Sequence, residues 1–432
     1  MDKDNRIFCL LQTYNIQLFK ILKFPYAFLT DHFYAINRKN ASEFLKLTFM
    51  KHLLKIFTLA IIFSSTLLLL SLSNKQPVQK TFQPKIQVAI LLDVSGSMDG
   101  LIEQAKAQLW NMVNTMGKAK CANDVSPQIE IALYEYGRTT NNAKQGYVKK
   151  INGFINDLDS LSQNLFGLKT DGGDEFCGHV IYSSLNELQW DAAPENYKVI
   201  FIAGNEDFLQ SDILYTNACT LAKQKGVIVN TIYCGNKMDG IREHWNLAGE
   251  CGNGSFTNIN QDAKTEDIPT PYDTVIYSLN DKLNNTYIAY GARGYMSKGK
   301  QVQMDLANVT VSKSAAIKRI QAKSSKVYSN AQWDLVDAKA NDKEAIKKMD
   351  KKILPDSLKN KTTEELEMII DKKSKERNII QKEIAQITVQ REAFINAEKV
   401  KHANTKNAAA TLETEVEKII RSQAKRFKME IE

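Results

Sequence analysis

At 432 residues, with 43% hydrophobic and 25% charged residues, the chain has room for two or three globular domains and lies outside the disordered and fibrous classes. Its formal charge of +8 is unevenly placed: residues 1–73 hold nine Lys and Arg against four acids, a surplus of five, which leaves +3 for the remainder. No basic stripe with interleaved aromatics follows, so the charge does not point to nucleic acid.

Residues 1–49 have no clear helical or strand period and read as an over-extended or disordered leader. Met50 opens a second pattern: Lys51 and Lys55, then the uncharged apolar run Ile56–Leu70, then Ser71-Leu72-Ser73. That order is a signal peptide's, and the run is also long enough to serve as an uncleaved membrane anchor. No cysteine follows it to accept a lipid. Residues 50–73 are therefore read as signal peptide or anchor, and the protein as exported: periplasmic, cell-envelope or extracellular.

After a polar linker, Ile86–Leu92 is a nearly continuous apolar run, which suits a strand buried on both faces of a parallel sheet. It empties into Asp93-Val94-Ser95-Gly96-Ser97, and Gly100–Met116 then carries apolar residues on one helical face. Strand and helix patterns alternate onward. Strands are expected at Gln128–Tyr136, Tyr147–Phe154, Tyr197–Ala203, Val227–Tyr233 and Ser255–Ile259. Helices are expected from Asp157, and at Val180–Leu188, Ser211–Lys225, Gly240–Ala248 and Tyr272–Leu283. This is the signature of a doubly wound α/β domain with a mostly parallel six-stranded sheet, here spanning 84–290.

Residues 291–354 read as an irregular connector holding one short helix, Ser314–Lys323, and Tyr328 and Trp333 as packing residues at the junction with the C-terminal region. From 355 to 432 the chain is charged and helical. Thr362-Thr-Glu-Glu365 has the form of a capping box. Two seams step by heptad spacing: Ile380, Ile384, Ile387, Arg391, Phe394, and Leu412, Val416, Ile419, Gln423, Phe427. Each is short for a free coiled coil, so a hairpin packing on itself or on the main domain stands beside an oligomer.

Cys121, Cys177, Cys219, Cys234 and Cys251 are scattered singly, without a Cys-x-x-Cys. An exported chain permits disulfides, but with Cys9 set aside in the leader the remaining five cysteines leave at least one free or pairing between molecules. No His-Glu-x-x-His, Gly-x-Ser-x-Gly or P-loop occurs, and His179 and His244 are isolated, so an enzyme is not expected.

The oxygen-rich turn after the first strand is the candidate functional centre. One carboxylate and two hydroxyls, with no sulfur or imidazole, suit a hard divalent cation, Mg²⁺ first, with Mn²⁺ or Ca²⁺ as substitutes. The plainer reading is that Ser95 or Ser97 caps the following helix. Asp-x-Ser-x-Ser at the end of a buried strand resembles the metal-ion-dependent adhesion site of von Willebrand factor A domains. The longer pattern, Ile202-Ala-Gly-Asn-Glu206 with Thr170-x-Gly-Gly-Asp-Glu-x-Cys-Gly178 upstream and Leu283-Asn-x-Thr-Tyr-Ile-x-Tyr-Gly291 downstream, together with a charged helical C-terminus, resembles exported bacterial proteins carrying that domain. The resemblance implies metal contacts from Asp93, Ser95, Ser97 and Thr170. It places an aspartate where this chain has Gly204 in Ala203-Gly204-Asn205-Glu206-Asp207. Asn205, Glu206 and Asp207 are the replacements, with Glu206 preferred because its longer side chain can reach back. Asp171, Asp174, Glu175 and Asn205 are the further binding candidates. The three acids could instead form a second cation site or merely an acidic loop at a helix start.

The expected function is a protein-binding module whose cation is completed by an acidic side chain of the partner. The alternative is a non-catalytic subunit of an assembly or maturation system working with a chaperone-like ATPase.

Overall fold

The computed structural model describes residues 84–431, apart from 122–124, 211–212, 264–266 and 403–410, together with Met50. The leader, the run 51–73 and the linker therefore lie outside the described residues. Among the described residues no helix is long and apolar enough to cross a membrane.

Among the described residues, eight strands and twelve helices of note follow in chain order. The first is β1 (Lys85–Asp93), then α1 (Asp99–Gly117), the two-residue β2 (Ala119–Lys120), β3 (Gln128–Tyr136), β4 (Lys149–Ile155), α2 (Leu158–Phe166) and α3 (Cys177–Glu187). Next are β5 (Tyr197–Gly204), α4 (Tyr215–Lys225), β6 (Ile228–Cys234), α5 (Lys237–Arg242), α6 (Trp245–Cys251) and β7 (Asn253–Ile259). The last group is α7 (Asp273–Asn284), α8 (Gly294–Val311), α9 (Lys313–Lys323), α10 (Leu335–Asn341), α11 (Thr363–His402) and α12 (Leu412–Ala424). A two-residue strand, β8 (Glu430–Ile431), pairs antiparallel with β2.

The main sheet has six strands in the order β4-β3-β1-β5-β6-β7. All neighbours are parallel except the edge strand β4, which runs antiparallel to β3. Side chains alternate along a strand, so β1 feeds two cores at once. Ile86, Val88 and Leu92 enter a core shared with α1, α2 and α12, while Ala89 and Leu91 enter one shared with α3, α4 and α6. This is the doubly wound α/β fold expected from the apolar runs.

The C-terminal helical region packs on the main domain, one of the alternatives the sequence left open. Residues 82–432 form one compact unit. In α12, Leu412, Val416, Ile419 and Ile420 join the same core as α1 and β1, so the last helix covers the sheet that the first strand begins. The seam on α11 is also used within the chain: Ile380 and Ile384 are buried in that core, and Arg391 reaches Asp273 of α7 at 2.9 Å. Both seams thus pack on their own chain. Thr362 and Glu365 form the expected capping box, with backbone-to-side-chain bonds of 2.8 and 3.2 Å.

Two local expectations need correction. Gly240–Ala248 is not one helix: the chain breaks at His244, which adopts a left-handed backbone (φ 66°), between α5 and α6. Residues 294–311, expected to be irregular, form the 18-residue helix α8. Its apolar face is weak: Gln301 and Asn308 are buried beside Met304, while Tyr295, Met296 and Leu306 are exposed.

Candidate metal site

Strand register creates this site. Asp93 ends β1 opposite Tyr136, the last residue of β3, and Leu92 pairs with Ala203 just before Gly204 ends β5. The carboxyl ends of the three central strands therefore meet at one point, where parallel sheets form their ligand crevice. Backbone bonds pin the loops above it. Val94 N–H donates to Tyr136 O and Asp171 N–H to Val94 O, each at 2.9 Å, while the Gln261 side chain donates to Ser97 O at 3.0 Å.

Asp93 is fully buried. Its Oδ1 accepts from the Ser95 amide at 2.7 Å, while Oδ2 has no hydrogen-bond partner of good geometry. Burial pushes its carboxyl up to about 7, helped by the charge of Glu206 and opposed by the Ser95 hydrogen bonds and, more weakly, by the Asn205 amide. A buried carboxylate oxygen left unpaired is costly, and a bound cation would satisfy it.

The serines are not used as caps. Helix α1 has no side-chain cap bond; instead Ser95 Oγ and Ser97 Oγ face each other at 3.4 Å. Asn205 donates to Ser97 Oγ at 3.3 Å, and its own Oδ1 is buried without a partner. Thr170 donates its hydroxyl to Asp99, a residue that sequence reasoning passed over although it lies in the first turn of α1. An acid there also complements the helix dipole. Asp93, Ser95, Ser97 and Asn205 are thus joined by hydrogen bonds, and Thr170 stands on a neighbouring loop against Asp99.

Gly204 explains the absent aspartate. A Cβ at that position would lie 2.5 Å from Tyr136 Oη and 2.9 Å from Asp93 Oδ2. Tyr136 Oη donates to Ala203 O at 3.0 Å, so it cannot simply withdraw. Tyr136 is the larger omission from the sequence reading, since nothing local distinguishes a strand-ending tyrosine that fills a crevice.

The remaining acids separate into two groups. Asp171 accepts from the Gly172 amide at 2.9 Å and from Thr139 at 3.4 Å, and Asp207 accepts from the Leu209 amide and meets His244 at 3.1 Å. Each thus holds its own turn and ties it to a neighbouring loop. Asp174 is exposed. Glu206 is partly exposed, with its carboxylate 3.4 Å from the Gln210 amide nitrogen and its backbone carbonyl held by Trp245 at 2.7 Å. Glu175 is buried, its carboxyl pushed up to about 7 by burial and then by the charges of Asp93, Glu206 and Asp174. Among the described residues no three His, Cys, Asp or Glu side chains converge closely enough to hold an ion directly. Direct ligands here would be Asp93 and the hydroxyls, with other carboxylates acting through water, which suits an ion that keeps part of its hydration shell.

The decisive observation is the combination of one antiparallel edge strand on a parallel sheet with Asp-x-Ser-x-Ser at the end of the central strand β1. The fold is von Willebrand factor A-like. No model of a known protein family and no curated protein sequence matches the chain. Solved structures similar to it include mussel byssus proximal thread matrix protein 1, whose metal-ion-dependent adhesion motif holds zinc. That match has 14% identity over 41% of this chain and 42% of the mussel chain, with a TM-score of 0.30. The chain thus corresponds to less than half of the mussel protein. The von Willebrand factor A domain of SpRpn10 is 13% identical over 40% of this chain and 88% of its own, with a TM-score of 0.30. An aerotolerance-related membrane protein of Bacteroides fragilis is 14% identical over 41% and 93%, again with a TM-score of 0.30.

In this von Willebrand factor A-like domain, Cys219 of α4 and Cys251 of α6 form a disulfide, while Cys121, Cys177 and Cys234 are free thiols. Cys177 Sγ lies 3.7 Å from Tyr136 Oη, beneath the site.

Proposed function

We propose that this chain is an exported, non-catalytic protein-binding module that holds a divalent cation, Mg²⁺ in the first instance, at the Asp93 turn. The observation that carries the reading is Asp93 itself: a fully buried carboxylate with an unpaired oxygen, beside two hydroxyls that cap nothing. Asp93, Ser95 and Ser97 would hold the ion, Thr170 would swing to it from Asp99, and waters would complete the shell. A cation ligated mainly by hydroxyls and water stays electrophilic and offers a coordination position to an oxygen of a partner. The disulfide supports the exported reading, since such bonds persist in oxidising compartments. N-terminal anchoring through 50–73 is part of the same proposal.

The test is a thermal-shift and calorimetric titration of the purified full chain with Mg²⁺, Mn²⁺ and Ca²⁺, repeated with Asp93→Ala. An ion that binds only the folded state raises the melting temperature; at a hundredfold excess over its Kd the stabilisation is about 2.7 kcal/mol. The expected result is a shift in the wild type that Asp93→Ala abolishes. No shift with any of the three ions overturns the metal reading.

A further inference from the structure

Deepening that reading, we propose that Glu175 supplies the second carboxylate that Gly204 cannot carry, acting on the ion through water, and that the loaded face therefore takes a neutral partner oxygen rather than a carboxylate. The placement is geometric. Gly137, in a left-handed turn (φ +83°) after β3, leaves a space bounded by two side chains. A Cβ there would lie 2.9 Å from Asp93 Oδ1 and 3.0 Å from Glu175 Cγ. Only a glycine lets the buried Glu175 side chain stand beside Asp93. Gly204 clears the other side, where a Cβ would lie 2.9 Å from Asp93 Oδ2. One loop has lost room for an acid while another has placed one next to Asp93. Glu206 serves this role less well, because it is partly exposed and faces Gln210 within its own turn.

The consequence concerns charge. Asp93, Glu175 and Glu206 act electrostatically on one another, and Asp99, Asp171 and Asp174 stand exposed on the same rim. Asp99 already touches Thr170 of the site. A divalent ion offsets two of these charges and leaves the face anionic. An incoming carboxylate would meet net repulsion at short range. A backbone carbonyl, amide or hydroxyl oxygen would not, and a lysine or arginine beside it would be attracted by the rim. This replaces the acidic partner side chain expected from sequence.

The experiment uses the full chain and Mn²⁺, read by electron paramagnetic resonance and by the relaxation of coordinated water, with Asp93→Ala, Glu175→Gln and Glu206→Gln. Glu175→Gln should weaken Mn²⁺ binding by about 10–100-fold, the usual cost of losing an outer-sphere partner. Glu206→Gln should stay close to wild type. Without metal, Glu175→Gln should melt no lower than wild type, because it removes a buried, repelled carboxylate while keeping its shape. With Mn²⁺ bound, excess acetate should leave the relaxation of the wild type unchanged and lower that of Glu175→Gln at saturating metal. Wild-type Mn²⁺ affinity in Glu175→Gln, or displacement of water by acetate in the wild type, overturns the inference. A wild type that binds no Mn²⁺ defeats the parent reading instead, so the two failures are distinct.

Discussion

Tyr197 Oη donates to Gln423 Oε1 at 2.9 Å, joining the first residue of β5 to the last helix across 226 positions of sequence. Asn230 of β6 completes the contact in both directions, donating to Gln423 Oε1 at 3.1 Å and accepting from Gln423 Nε2 at 2.6 Å. Phe427 stacks on Tyr197 at 5.2 Å. The C-terminal helix is thus keyed to the sheet by a satisfied buried amide. Gln423→Leu should leave the Tyr197 hydroxyl and the Asn230 amide unpaired, costing about 1–3 kcal/mol for each orphaned group. Urea unfolding monitored by circular dichroism measures this. An unchanged midpoint would mean that the last helix is not part of the cooperative unit.

A second prediction concerns Arg319, which is fully buried yet ionised. It pairs with Asp159 of α2 and Asp305 of α8, each at 2.7 Å, and its guanidinium lies 4.6 Å from the Trp110 ring. Burial works to raise the Asp305 carboxyl, but Lys323 and Arg319 outweigh it and hold the group well below the usual carboxylate range. Arg319→Met strands Asp159 in the core and should destabilise the protein by about 3–5 kcal/mol, the usual cost of breaking a buried pair by removing one partner. Arg319→Met combined with Asp159→Leu should recover part of that loss in the same unfolding assay.

Gly204→Ala should lower stability by about 1–3 kcal/mol, the range for overpacking a filled site, because the new methyl meets Tyr136 Oη and Asp93 Oδ2. Adding Tyr136→Phe removes one of the two close contacts and should restore part of the melting temperature. Cation binding should remain impaired in both variants, since the contact with Asp93 persists. Calorimetry with Mg²⁺ separates these two effects.

The pH dependence follows from Asp93 and Glu175, both pushed up to about 7, chiefly by burial. Their folded-state values lie above the ordinary carboxylate range, so between about pH 4 and 7 the folded state binds more protons than the unfolded one. Their contribution to metal-free stability is therefore present at low pH and lost as pH rises through 7. A cation competes with those protons, so the Mg²⁺-induced rise in melting temperature should be small at pH 5 and grow through pH 8. A metal effect equal at both values would contradict this account of the site.

Much of this protein is legible along the chain, because local rules govern it. Parallel strands buried on both faces must be continuously apolar, so β1, β5 and β6 announce themselves, and Asp93, Ser95 and Ser97 stand at the end of the first. The capping box at Thr362–Glu365 follows from spacing alone, whereas Thr170 is what the resemblance to von Willebrand factor A domains implies. Helix α8 was hidden because it buries Gln301 and Asn308 beside Met304 and leaves Tyr295, Met296 and Leu306 exposed, which blurs the pattern that periodicity reads. Tertiary structure decided the rest, because the quantities involved belong to pairs distant in sequence. Tyr136 and Asp93 take the space over Gly204, Gly137 admits Glu175 beside Asp93, and the seam at Leu412–Gln423 finds the sheet of its own chain. A heptad seam specifies an apolar face and leaves its partner open; only packing against β1 and α1 selects it.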